Sequence, residues 1–163
     1  LGEHPRGDWS LTFPLLGANY VDDRRSFYDC RTSNQMVKKI IGDPVVINGR
    51  RLSLSRAVRA GDFVFLTGQV PMQNNTIMTH GDIEDQTRAV LDDITETLKL
   101  AGCDRGDVVK SMVWLTSRDD FPGFNAVYAE YFPKSPPARS AVVNDLLVDA
   151  KVEIEVIAYK PQL

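Results

Sequence analysis

Arg139 follows two prolines in Pro136-Pro137-Ala138-Arg139-Ser140. A planar guanidinium grips a carboxylate through two parallel hydrogen bonds, which fixes orientation as well as charge. The prolines stiffen its approach, so the arginine stands at a defined point of chain entry. Further on, Val152-Glu153-Ile154-Glu155-Val156 alternates apolar residues with carboxylates. A carboxylate on such a strand can orient a water and carry a proton. Thr67 offers a hydroxyl donor, and Gly68 beside it can present a backbone N–H where a side chain would block a ligand. Residue type alone also allows plainer roles: an exposed arginine after a turn, or solvated glutamates on a one-sided strand.

Other chemistries are less well supplied. His4 and His80 are the only histidines, and Cys30 and Cys103 lie 73 residues apart without C-x-x-C spacing. No His/Cys metal cluster can be assembled, and no metal is expected. Cys103, after Gly102, is expected in a half-buried loop. The net charge is −3, and Arg24-Arg25, Lys38-Lys39 and Arg50-Arg51 are isolated pairs rather than a basic stripe. Nucleic-acid binding needs a concentrated positive surface, so none is expected. No apolar stretch is long enough for a membrane span, and residues 1–9 show no charged-then-apolar leader. A cytoplasmic globular protein is the expectation.

These residues need a scaffold. Residues 1–36 are rich in aromatics (Trp9, Phe13, Tyr20, Phe27, Tyr28) with no sustained period. They read as an arm wrapped on the domain or on a neighbouring subunit, or else as a lid over a site. Regular patterning occupies residues 37–163. A short strand over 37–41 stops at Gly42-Asp43-Pro44, and Val45-Val46-Ile47 meets the hairpin signal Asn48-Gly49. The return strand is expected over 51–58, and another strand over 63–67. Residues 82–101 form the clearest helix, with Ile83, Thr87, Val90, Leu91, Ile94, Thr97, Leu98 and Ala101 on one face, Asp82 as N-cap and Gly102 as stop. A strand over 107–116 follows. A second helix over 121–132 starts at Pro122 with Asp119 or Asp120 as cap. Two strands, 139–147 and 151–159, close the chain. The resulting order, β-β-β-α-β-α-β-β, gives an α+β fold with two helices on one sheet face. The other face needs cover, which an oligomer would supply. If the last two strands form a hairpin, Arg139 pairs near Tyr159 and Glu153 near Asp145, roughly 20 Å apart. They could then share a substrate only from adjacent subunits.

The ordered series Lys38-Lys39-Ile40-Ile41, Ala57-Val58-Arg59-Ala60-Gly61-Asp62, Phe65-Leu66-Thr67-Gly68-Gln69-Val70-Pro71, Asp82-Ile83-Glu84-Asp85-Gln86-Thr87, Asp107-Val108-Val109-Lys110, Phe124-Asn125-Ala126-Val127-Tyr128, Pro137-Ala138-Arg139-Ser140 and Val152-Glu153-Ile154-Glu155-Val156-Ile157-Ala158 closely resembles the Rid (reactive intermediate deaminase, YjgF-like, L-PSP) family. The resemblance spans about residues 37–160. It implies a chorismate-mutase-like fold, a homotrimer with ligand clefts between subunits, and cofactor-free hydrolysis of 2-imino acids, formed from enamines, to 2-keto acids and ammonia. It assigns Arg139 to the substrate carboxylate and Glu153 to the water. The choice of Glu153 over Glu155, which shares its strand face, rests on this match alone. Thr67 stands where a serine is common. Asn125 matches a cleft-associated asparagine, although a cap or surface amide fits equally. Two residues depart: Leu54 replaces a tyrosine, and Ala141 replaces a cysteine two positions after the arginine. The cleft becomes more apolar, which suggests a bulkier or less polar substrate, or weaker activity. Two alternatives therefore stand beside the deaminase: a non-catalytic keto-acid binding module and, less in keeping with the acidic balance and the lack of a His pair, an endoribonuclease.

Overall fold

The computed structural model describes residues 38–47 and 49–162, so the expected arm over 1–36 lies outside the described residues. In chain order the strands are β1 (Lys39–Ile41), β2 (Val46–Ile47), β3 (Arg50–Arg51), β4 (Ala57–Ala60), β5 (Phe63–Leu66), β6 (Met72–Gln73) and β7 (Thr76–Ile77). Helix α1 (Ile83–Leu100), β8 (Val108–Leu115), α2 (Phe121–Tyr131), β9 (Ala138–Val143) and β10 (Val152–Tyr159) complete the chain.

Six strands form one sheet in the order β1-β4-β5-β10-β8-β9. With α1 and α2 they reproduce the expected β-β-β-α-β-α-β-β order. The sheet is mixed, because β9 pairs parallel to β8 while the other neighbours are antiparallel. Alternation decides the faces. Val113, Leu115, Val152, Ile154, Val156 and Ala158 are buried, and α1 and α2 supply Val90, Leu91, Ile94, Leu98, Phe124 and Val127 to the same core. Each apolar position expected on α1 is buried. The Asp82 carboxylate caps the helix by accepting from the Asp85 N–H at 2.9 Å, and Gly102 ends it in the left-handed region at φ +72°. Gln86 shares the buried face and ties the helix to the sheet, its Oε1 accepting from the Lys151 N–H at 2.8 Å.

Several expectations are corrected. The last two strands form no hairpin, since β8 lies between β9 and β10. The β8–α2–β9 segment is a helix crossover, which places its two strands side by side and parallel. The link from β9 must therefore carry the chain to the far side of β8. The return strand expected over 51–58 is split: β3 pairs only with β2, and the main sheet resumes at Ala57. A second small hairpin, β6–β7, turns through Asn74 and Asn75, both at positive φ (52° and 63°), where asparagine is tolerated. The strand expected over 139–147 ends at Val143. Asp120 is the N-cap of α2 but its side chain makes no capping bond; a 3-10 turn at Arg118–Asp120, held by the Ser117 hydroxyl accepting from the Asp119 N–H at 3.1 Å, leads into the helix. Cys103 is buried rather than half-buried, under the Arg59 guanidinium at 3.5 Å.

On the face away from the helices, Ile40, Phe63, Phe65, Val142 and Tyr159 stay exposed. Among the described residues nothing covers them, and no helix there is long and apolar enough to cross a membrane.

Candidate active site

Arg139 projects from the edge strand β9 towards the helices, because its register partner on β8 is the fully buried Ser111. Helix α2 forms its seat. The Asn125 Oδ1 accepts from Arg139 Nη2 at 2.8 Å, which orients the fork and leaves its other N–H donors unused by this bond. The guanidinium lies over three rings of the same helix, with centroid distances of 4.5 Å to Tyr128, 5.3 Å to Phe124 and 5.8 Å to Phe121. Such rings hold a cation in place without neutralising it, so its charge remains available to an anion. Burial pushes the Tyr128 phenol up, against the opposing pull of the Ser111 hydroxyl and the Arg139 charge. A hollow of about 390 Å³ opens beside the arginine, lined by Asn125, Tyr128, Ala129, Phe132, Pro136 and Pro137. Ala141 is two residues along the same strand face, opposite Val113, and exposed.

Glu153 occupies the other side of the sheet. Its partner on β8 is Trp114, and in β10 the buried Val152, Ile154 and Val156 alternate with half-buried Glu153, Glu155 and Ile157. Glu155 thus shares its face, as the spacing requires. Among the described residues no cation or hydrogen-bond donor engages the Glu153 carboxylate. Burial pushes that carboxyl above the ordinary carboxylate range, and the negative charge of Glu155 adds to the rise.

Thr67 and Gly68 reach Glu153 through a bulge. Phe65 pairs with Ile157 while Gln69 pairs with Ile154, so four steps on one strand match three on the other. The extra residue falls at Thr67-Gly68, and such bulges re-aim the chain beside functional groups. Gly68 is pressed against the glutamate: a Cβ there would lie 2.0 Å from Glu153 Oε1. Thr67, Gly68 and Leu54 line a cleft of about 380 Å³, together with Val45, Val46, Ile47 and Leu52 of the β2–β3 hairpin and the Arg56–Asp93 ion pair (2.6 Å).

The expected site residues therefore fall into two groups. Arg139, Asn125 and Ala141 stand on the helix side of β9; Thr67, Gly68 and Leu54 gather at the bulge, with Glu153 against Gly68. Arg139 aligns through Ser111 with Val156, three residues from Glu153. Their backbones are thus roughly 14 Å apart, two strand spacings across and three residues along. The hairpin argument for their separation fails, and opposite sheet faces take its place. Three features escaped the sequence: the aromatic seat, the bulge and the hairpin wall. The seat had a signal, since positions 121, 124, 125 and 128 share one helical face.

A sequence profile described as Endoribonuclease L-PSP matches residues 50–160. The chain belongs to this family, which is the Rid, or YjgF-like, family. A RutC family protein of Pyrococcus horikoshii is 49% identical over 108 residues, covering 65% of this chain and 86% of its own. Reactive Intermediate Deaminase A, chloroplastic, of Arabidopsis thaliana is 42% identical over 106 residues, covering 64% of this chain and 57% of its own. Among solved structures, a putative endoribonuclease of Thermotoga maritima superposes with a TM-score of 0.70 at 33% identity, covering 77% of this chain and all of its own. The mixed α+β architecture is that of the Rid family.

Proposed function

We propose that this Rid-family chain hydrolyses the imine form of a carboxylate-bearing enamine/imine intermediate to a keto acid and ammonia, in clefts between the subunits of a homotrimer. The observation that carries the reading is the seating of Arg139 and Glu153 on opposite faces of one sheet, Arg139 bonded to Asn125 and Glu153 pressed against Gly68 at the bulge. One chain supplies Arg139 and Asn125, and an adjacent copy supplies Glu153, Thr67 and Gly68. Arg139 grips the substrate carboxylate and sets the C=N carbon at the water. That carbon is already electrophilic, so orientation and proton management suffice and no cofactor is called for. The water oxygen bonds to the carbon, and the proton it loses passes through Glu153 to the nitrogen. The carbinolamine's hydroxyl proton then passes by the same route to the nitrogen as the C–N bond breaks, so ammonia leaves and the carbonyl remains. A carboxyl lifted by burial suits a group that must both accept and return a proton. The similarity to a named reactive intermediate deaminase supports the same reading.

Ammonia release from imines generated by an amino-acid oxidase tests the reaction, and Arg139→Ala and Glu153→Gln should each abolish it. Co-expression of the two variants tests the shared cleft. An intact site forms wherever a chain keeping Arg139 meets one keeping Glu153, so random assembly should restore about a quarter of the wild-type rate. Unchanged activity in Arg139→Ala would sink the mechanism, and no recovery on co-expression would sink the inter-subunit site. Keto-acid binding without turnover on a broad imine panel would favour a non-catalytic binding module, to which Leu54 and Ala141 lend support.

A further inference from the structure

We infer that the substrate of this site carries a bulky apolar side chain, branched aliphatic or aromatic, held against the β2–β3 hairpin; the inference rests on the deaminase reading above. The hairpin is a small sheet of its own, closed by the Leu52 N–H bonding to the Val45 carbonyl at 2.9 Å. It stands apart from the main sheet. Val45, Val46, Ile47 and Leu52 form one wall of the cleft that Thr67 and Gly68 also line, and Leu54 and Met72 extend the apolar surface.

Val46, Leu52 and Leu54 remain 46%, 36% and 41% exposed, so a ligand with an apolar side chain would remove that surface from water. The cleft's charged groups point the same way. Arg56 is spent on Asp93 at 2.6 Å and on the Thr97 hydroxyl at 2.6 Å. Asp43, also lining the cleft, adds a negative charge. Nothing among these lining residues offers an uncommitted cation to a second carboxylate. An acidic side chain is therefore disfavoured, and a short one leaves the wall wet.

Calorimetry with a series of 2-keto acids tests this, using 2-oxobutanoate, 4-methyl-2-oxopentanoate, phenylpyruvate and 2-oxoglutarate. The branched acid should bind about tenfold tighter than 2-oxobutanoate, from the burial of two further carbons, with phenylpyruvate at least as tight and 2-oxoglutarate weakest. The double variant Val46→Ser/Leu52→Ser should shrink the tenfold ratio to about two or three, with an unfolding temperature close to wild type because neither residue is in the core. Equal affinity along the series, tighter binding of the short or dicarboxylic acid, or a ratio unmoved by the double variant would overturn the inference while leaving the deaminase reading intact. Failure of every member to bind would overturn the deaminase reading itself.

Discussion

Replacing Gly68 by alanine should separate the position of Glu153 from the stability of the fold. A Cβ at Gly68 would lie 2.0 Å from Glu153 Oε1, 3.0 Å from its Cδ and 3.4 Å from its Cγ, and no backbone atom is among the three nearest. Ordinary contact begins at 3.4 Å, so the carboxylate oxygen must retreat by roughly 1.4 Å. Gly68 does not have a positive φ, so the backbone itself accepts alanine. The retreating group is the far end of a flexible side chain with no partner to surrender among the described residues. Stability should therefore change by only about 0.5 kcal/mol. Catalysis is less forgiving, since a misplacement of about 1 Å at the reacting centre can cost about a hundredfold. The expected result is a kcat lowered by about two orders of magnitude, with thermal unfolding near wild type. Ammonia release within a few-fold of wild type would show that the place of the Glu153 carboxylate does not set the rate. A large drop in unfolding temperature would show that the glycine serves the bulge instead.

Three further outcomes follow from the site. Arg139→Lys keeps the charge but loses the planar fork and its bond to Asn125, so keto-acid affinity should weaken about ten- to a hundredfold; an unchanged Kd by calorimetry would mean charge alone is read. The acidic limb of the kcat/KM profile should lie above the ordinary carboxylate value because Glu153 is raised, and Glu155→Gln should move that limb to lower pH by removing the second cause of the rise. The same shift has a stability sign: a carboxyl raised by folding weighs against the fold once it ionises, a penalty absent below its unfolded pKa and growing as pH rises through the folded one. Glu153→Gln should therefore unfold at a higher temperature than wild type near pH 7, with the gap closing near pH 4, and a gap that ignores pH would contradict the cause assigned to the shift.

The elements were largely legible because each obeys local rules. Helix α1 carries its period, its Asp82 cap and its Gly102 stop in one continuous stretch, and β10 shows a clean alternation. Strand partners were not legible in the same way. Whether β9 lies beside β10 or beyond β8 depends on the α2 crossover, a long-range property that the turn at 148–150 does not encode. The fate of residues 52–55 turns on what those residues touch, and their composition suits a strand as well as a loop. At the site, Arg139, Glu153, Thr67 and Gly68 were found through resemblance, since their types alone fit ordinary surface roles. The aromatic seat under Arg139 does not stand out in the sequence because Phe124 and Tyr128 read equally as core, which they also are. The bulge at Thr67-Gly68 has no sequence mark beyond a glycine, and it emerges only when two registers are compared.

The sheet poses two problems that the proposed assembly answers together. Its open face carries Glu153 and also the exposed Ile40, Phe63, Phe65, Val142 and Tyr159, with the Phe63 and Tyr159 rings 5.1 Å apart. A surface of that kind favours burial against another protein surface. Arg139 sits at the opposite face, on an edge strand, where a neighbour can approach without displacing either helix. An association that covers the apolar face places a second chain against the side where Glu153 has no partner among the described residues. If that second chain brings its own β9 edge to the boundary, the carboxylate anchor arrives with it. Under the proposed function, the incomplete single chain and the uncovered face are then one requirement, and a substitution that spared both half-sites but blocked association would still silence the enzyme.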